Sequence, residues 1–95
     1  MTIAPPIGDD QRPHLPRGVR LKFDEARNAW LLLAPERVIK ANAIAVEILK
    51  RCDGVRTVGA LVDELSILYG ADRSQVQTDV YRLLLDLAAK RVLDL

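Results

Sequence analysis

Only one cysteine stands in the 95-residue chain, Cys52, so no disulfide can form within it and a secreted disulfide scaffold is excluded. Aromatic residues make up 4% of the sequence, so a core has to be built from Leu, Val, Ile and Ala. Neither sign of charge dominates: the formal net charge is +1. That offers no electrostatic case for nucleic acid or a membrane surface as a partner. No apolar run approaches the roughly 20 residues that a membrane span needs. The opening MTIAPPIGDD lacks the basic start and long apolar centre of a signal peptide. A soluble, cytoplasmic protein is the expectation. Neither G-x-x-x-x-G-K nor G-x-G-x-x-G occurs, and no Cys/His cluster has metal spacing, so no cofactor and no metal are expected.

What is present reads as α+β: a three-stranded antiparallel sheet followed by three helices. Residues 1–18 hold four of the five prolines and read as a flexible tail, leaving 19–95 as a single domain. Val19 to Phe23 alternates, with Val19, Leu21 and Phe23 on one face, as a half-buried strand does. Asp24 to Asn28 forms the loop of a hairpin. Ala29 to Leu33 is apolar on both faces and reads as the central strand. Pro35 breaks it, and Arg37 to Ala41 returns as a short third strand. Asn42 is placed to cap a first helix with Ala45, Ile48, Leu49 and Cys52 inward, which Asp53-Gly54 ends. Thr57 caps a second helix, with Val58, Leu61, Val62, Leu65 and Leu68 inward, and Gly70 ends it. The third helix starts near Asp72 to Ser74, where Asp72 with Gln75 and Ser74 with Gln77 fit a capping box, and runs to about Arg91.

Catalysis has little to stand on. His14 is the only histidine and lies among the prolines of the tail. Cys52 falls on the inward stripe of the first helix, and a nucleophilic cysteine needs a positioned base that the sequence does not supply. The chain is not expected to be an enzyme. A winged-helix DNA-binding domain is the alternative that the element order suggests. Against it, residues 72–94 carry four basic and four acidic side chains, and the hairpin precedes the helices. A third reading is a dimerisation domain whose exposed edge pairs with a second copy.

Two features favour peptide binding. Apolar residues of the third helix, Val76, Val80, Tyr81, Leu83, Leu84, Leu85, Leu87, Ala88 and Val92, span an arc of about 200°, more than one core contact uses: the helix is either sandwiched between sheet and helices or lines a partner's groove with one margin. The short third strand leaves an edge that Arg37 and Lys40 either simply protect or leave open, and at an open edge an extended peptide can add as a further strand. Four or five added backbone hydrogen bonds contribute roughly 2–7 kcal/mol at about 0.5–1.5 each. Association costs on the order of 4–15 kcal/mol. Two or three buried side-chain anchors must therefore add about 1.5–3 kcal/mol each, and the wide helix face is where they would dock. Ile39→Pro, by removing a ladder donor, is expected to weaken such binding.

The run Arg17-Gly18-Val19-Arg20-Leu21 before Asp24 is followed by LLL-x-PE over Leu31 to Glu36. Then come Val38, Ile39, Asn42, Ile48-Leu49, Cys52-Asp53-Gly54 and Thr57-Val58. In this order and spacing the chain resembles the PqqD family of pyrroloquinoline quinone biosynthesis, from about Pro13 to Leu95. The resemblance implies a winged-helix-like peptide-recognition module that acts as a chaperone. It implies binding of the precursor peptide PqqA and its presentation to the radical-SAM enzyme PqqE, with the peptide added beside the third strand and against the third helix. Carried onto this sequence, the peptide-binding residues are Arg37, Val38, Ile39, Lys40 and Ala41 of the strand. From the helix they are Val76, Asp79, Val80 and Leu83, with Arg82 as a charge contact.

Overall fold

The computed structural model describes residues 7–95. Strands β1 (Arg20–Asp24), β2 (Ala29–Ala34) and β3 (Arg37–Ala41) form an antiparallel sheet in the order β1-β2-β3. Helices α1 (Ala43–Lys50), α2 (Val58–Tyr69) and α3 (Arg73–Ala89) follow. The arrangement is winged-helix-like, with the hairpins ahead of the helices.

The β1–β2 loop turns without glycine. The Asp24 carboxylate accepts from the N–H groups of Ala26 and Arg27, and Asn28 takes φ 50°, a left-handed conformation that asparagine tolerates. β2 is central, as its two apolar faces predict. Leu32 turns into the core against the helices, and Leu31 lies on the opposite face.

Asn42 caps α1, its side-chain oxygen accepting from the Ala45 N–H at 2.8 Å. The helix stops at Lys50, short of Cys52. Gly54 is left-handed at φ 77° but does not cap the helix; it lies where a Cβ would stand 3.4 Å from the His14 side chain. Thr57 caps α2 through the Ala60 N–H, and left-handed Gly70 closes it. Val58, Leu61, Val62 and Leu65 are buried as their spacing predicts. Leu68, expected inward, is 54% exposed, because the last turn of α2 runs past the core and leaves Ile67, Leu68 and Tyr69 in solvent.

Neither capping box forms at the start of α3. The Asp72 side chain makes no cap bond and accepts instead from the Ser74 hydroxyl at 2.6 Å. The wide apolar arc resolves into a narrow buried line, Val80, Leu84 and Leu87, flanked by half-buried Val76, Leu83, Tyr81, Leu85 and Ala88. The helix ends at Ala89 rather than Arg91. Arg91 reverses the chain at φ 61°, so that Val92 enters the core from the following segment and not from the helix.

The proline-rich N-terminal segment is not a tail from Ile7 onward. Ile7 is 5% exposed within the core cluster, and Pro13 is fully buried. The reason lies in unmet backbone donors. The first N–H groups of a helix have no partner inside it. Here the Gln11 and Asp9 carbonyls accept from Val58 and Gly59 at the start of α2, at 2.8 and 2.9 Å. A Cβ on Gly59 would stand 3.2 Å from that of Asp9, so glycine permits the approach. The Pro13 carbonyl accepts from the Gly54 N–H at 3.0 Å, and His14 exchanges two 2.9 Å backbone bonds with Asp94. Proline supplies acceptors without needing partners for a donor of its own, which suits a strap of this kind. The part of the expected tail before Ile7 lies outside the described residues.

Candidate functional site

The polypeptide turns from β2 to β3 through Pro35 and Glu36 alone, so Ala34 and Arg37 face each other across a two-residue connection. Such a closing pair exchanges both backbone hydrogen bonds. Alternation along the ladder then makes Leu32–Ile39 and Trp30–Ala41 the other hydrogen-bonded pairs. Val38 and Lys40 occupy the intervening positions, so their N–H and C=O groups point away from β2. β3 has no neighbour on that side among the described residues. By the same alternation the Ile39 N–H, the ladder donor whose removal was expected to weaken peptide binding, points to β2. The outward donors are those of Val38 and Lys40.

α3 packs on α2 and stands off from β3, which leaves a groove. Its middle is a cavity of about 180 Å³ between Ile39, Lys40 and Ala41 on one side and Leu83, Asp86 and Lys90 on the other, floored by Leu32, Ala45, Leu49 and Leu87. Toward the start of α3 lies an apolar cavity of about 260 Å³, lined by Ile44, Ile48, Leu65, Tyr69, Val76, Asp79 and Val80. At the other end Arg37 of β3 faces Lys90 and Arg91 across a cavity of about 270 Å³.

All ten residues expected to bind peptide lie along this path or its margin. Ile39, Lys40 and Ala41 line the middle, Arg37 one end, and Val38 borders it through its backbone. Leu83 projects into the middle, and Val76 and Asp79 into the apolar end. Val80 is 1% exposed, so it forms the floor of that end more than a contact surface. Arg82 opens with Asp79, Leu83 and Asp86 onto an adjoining cavity of about 410 Å³ and makes no ion pair among the described residues.

Sequence reasoning missed Asp86 and Lys90, which continue the line Val76, Asp79, Leu83 at helical spacing and are joined by a 3.0 Å ion pair. It also missed Ile44 and Tyr69, which come from α1 and α2 and carry no signal of their own beyond being apolar. Ile44 is 56% exposed at the groove's apolar end.

Among the described residues no reactive constellation lines the groove. Cys52 lies in the core, its thiol bonded to the Ile48 carbonyl and pushed up to about 12, first by burial and then by the charge of Asp53. No cluster among the described residues has the donors for a metal ion. No helix among them is long and apolar enough to cross a membrane. On the side of α3 turned from the groove, the Asp9 carboxylate accepts from Tyr81, Gln77 and Arg73. The Tyr81 hydroxyl contributes most to holding that carboxyl below its usual value, and burial partly opposes it.

Residues 29–93 match the model of the family described as Coenzyme PQQ synthesis protein D (PqqD). The chain is 52% identical over 84 residues to a "PqqA binding protein" of Rhodopseudomonas palustris strain TIE-1, covering 88% of this chain and 82% of that one. It is 42% identical over 89 residues to the protein of the same name from Xanthomonas oryzae pv. oryzae, covering 94% and 97%. Among solved structures, it matches the PqqD truncation of Methylobacterium extorquens PqqCD with a TM-score of 0.82 and 43% identity, over 96% of this chain and 97% of the other. That structure is described as a functional, stand-alone recognition element for ribosomally synthesized and post-translationally modified peptides. PqqD from Xanthomonas campestris matches with a TM-score of 0.60 and 42% identity, over 94% and 99%.

Proposed function

The chain belongs to the PqqD family, a non-catalytic family of recognition elements, and we propose that it binds the precursor peptide PqqA as an added strand on β3. The peptide presents its backbone to the outward groups of Val38 and Lys40. Its side chains alternate, one set entering the groove beside Leu83 and the apolar end between Ile44, Tyr69 and Val76. So held, the peptide is presented to the radical-SAM enzyme PqqE. The observation that carries this reading is the coincidence of an unpaired β3 edge with a groove walled by α3. The relatives' name, PqqA binding protein, supplies the partner's identity.

The groove wall gives the test. Leu83 is half-buried and lines the cavity, so an aspartate there adds a charge beside a bound apolar side chain without entering the core. Loss of an anchor's burial at about 1.5–3 kcal/mol corresponds to a roughly 10- to 140-fold weaker affinity. Calorimetric titration of Leu83→Asp with synthetic PqqA is expected to show that loss. Wild-type affinity in this variant would remove α3 from the site.

A further inference from the structure

α3 begins without support from the core. Residues 71–75 are exposed, the Asp72 side chain makes no cap bond, and Val80 is the first buried side chain of the helix. Yet Val76, Asp79 and Val80, from these first turns, wall the apolar end of the groove against Ile44 and Tyr69. What holds this half of α3 lies on another of its faces. Arg73, Gln77 and Tyr81 recur at every fourth residue and form one stripe, roughly 110° round the helix from the groove wall. The Asp9 carboxylate meets all three. It accepts from the Gln77 amide at 3.1 Å, from the Arg73 guanidinium at 3.2 Å and from the Tyr81 hydroxyl. Arg73 also pairs with Asp63 of α2 at 2.6 Å. Asp9 is itself held in place. Its carbonyl accepts from the Gly59 N–H, and the turn around it is closed by two hydrogen bonds between Gly8 and Gln11, of 2.7 and 3.2 Å. Ile7 and Pro13 are buried on either side of that turn.

We infer that Asp9 is a positioning residue for the peptide groove. It lines none of the groove's cavities, and it sets how the first half of α3 stands against Ile44 and Tyr69, hence the opening of the apolar end. The inference rests on the peptide-binding reading. An ionised carboxylate suits the task, because it accepts from several donors at once and each bond gains from its charge. The three donors sit on successive turns, so releasing them frees two turns of helix and not one side chain. The second half of α3 does not depend on Asp9: Leu84 and Leu87 are buried there and fix Leu83 beside the middle cavity. Without the clamp the first half frays or leans, and part of the population presents no formed apolar end. Apparent peptide affinity then falls by the fraction that remains competent.

Calorimetric titration with PqqA compares the wild type with Asp9→Ala, Tyr81→Phe, the double variant and Asp24→Ala, at a temperature where melts show each protein folded. Asp24→Ala is the stability control: it removes the carboxylate that closes the β1–β2 loop, on the strand farthest from the groove. Asp9→Ala is expected to bind PqqA about three- to tenfold more weakly, as a competent fraction of roughly a third to a tenth requires. Tyr81→Phe is expected to lose about twofold, and the double variant no more than Asp9→Ala alone, because the hydroxyl acts through Asp9. Asp24→Ala is expected to bind as the wild type does. In the free Asp9→Ala protein the methyl resonances of Val76 and Val80 should shift, while those of Leu87 stay in place. A folded Asp9→Ala protein with wild-type affinity overturns the positioning role, as does an equal loss in Asp24→Ala. If Asp9→Ala does not fold, Tyr81→Phe decides, and wild-type affinity there overturns it. A loss in Leu83→Asp with none in Asp9→Ala overturns the clamp alone; wild-type affinity in Leu83→Asp overturns the groove reading.

Discussion

A proline moved one residue along β3 separates the peptide edge from the fold. At Val38 it removes an N–H that points to solvent, a placement where an edge strand tolerates proline. The side chain it replaces is 58% exposed, so little packing is lost. The peptide carbonyl that met this donor then faces a ring methylene. Leaving such an acceptor unsatisfied costs about 1–3 kcal/mol, which is a roughly 5- to 140-fold weaker affinity. At Ile39 the same substitution removes a donor to Leu32 inside the β2–β3 ladder and cuts into a residue packed on the core. Val38→Pro is therefore expected to melt near the wild-type temperature and bind PqqA weakly. Ile39→Pro is expected to lose thermal stability, at about 4–8 °C per kcal/mol for a domain of this size. Circular dichroism melts followed by calorimetry with PqqA report both. A Val38→Pro protein that binds PqqA at wild-type strength would refute the assignment of the outward edge, whatever its stability.

Replacing Asp9 with Asn tests the N-terminal strap. Asp9 holds Tyr81, Gln77 and Arg73 but is partly exposed, so the loss at pH 7 is on the order of 1 kcal/mol. Because the folded state lowers the Asp9 pKa from 3.8, its contribution is present above that value and fades as pH falls through the lower folded value. The melting-temperature gap between Asp9→Asn and wild type should close in acid; a gap that persists undiminished at pH 2 contradicts the carboxylate's role. Cys52, with its thiol pushed up to about 12, should resist Ellman's reagent at pH 8 until the protein is unfolded. Rapid labelling of the native protein would contradict its burial.

Most of the fold is legible in local chemistry. Asn42, Thr57 and Gly70 mark helix ends because a cap is a one-residue event that sequence states directly. Pro35 sets the β2–β3 turn, and that turn fixes which β3 amides point outward. What was not legible depends on distant partners. The strap over Ile7 to Gly18 looks like a tail because its hydrogen bonds are to the start of α2 and to Asp94, far away in sequence. Gly54 looks like a helix stop but accommodates His14. Leu68 has core spacing yet lies beyond the core, which periodicity cannot show. In the groove, β3 was visible as a short edge strand and α3 as an overwide apolar helix. Ile44 and Tyr69 enter only through the packing of α1 and α2.

Amide hydrogen exchange along β3, with and without PqqA, tests strand addition most directly. In the free protein the Ile39 and Ala41 amides should already be protected by β2, and those of Val38 and Lys40 should exchange quickly. Saturating PqqA should slow exchange at Val38 and Lys40. If the peptide binds and both amides still exchange at their free-protein rates, the peptide is not a fourth strand.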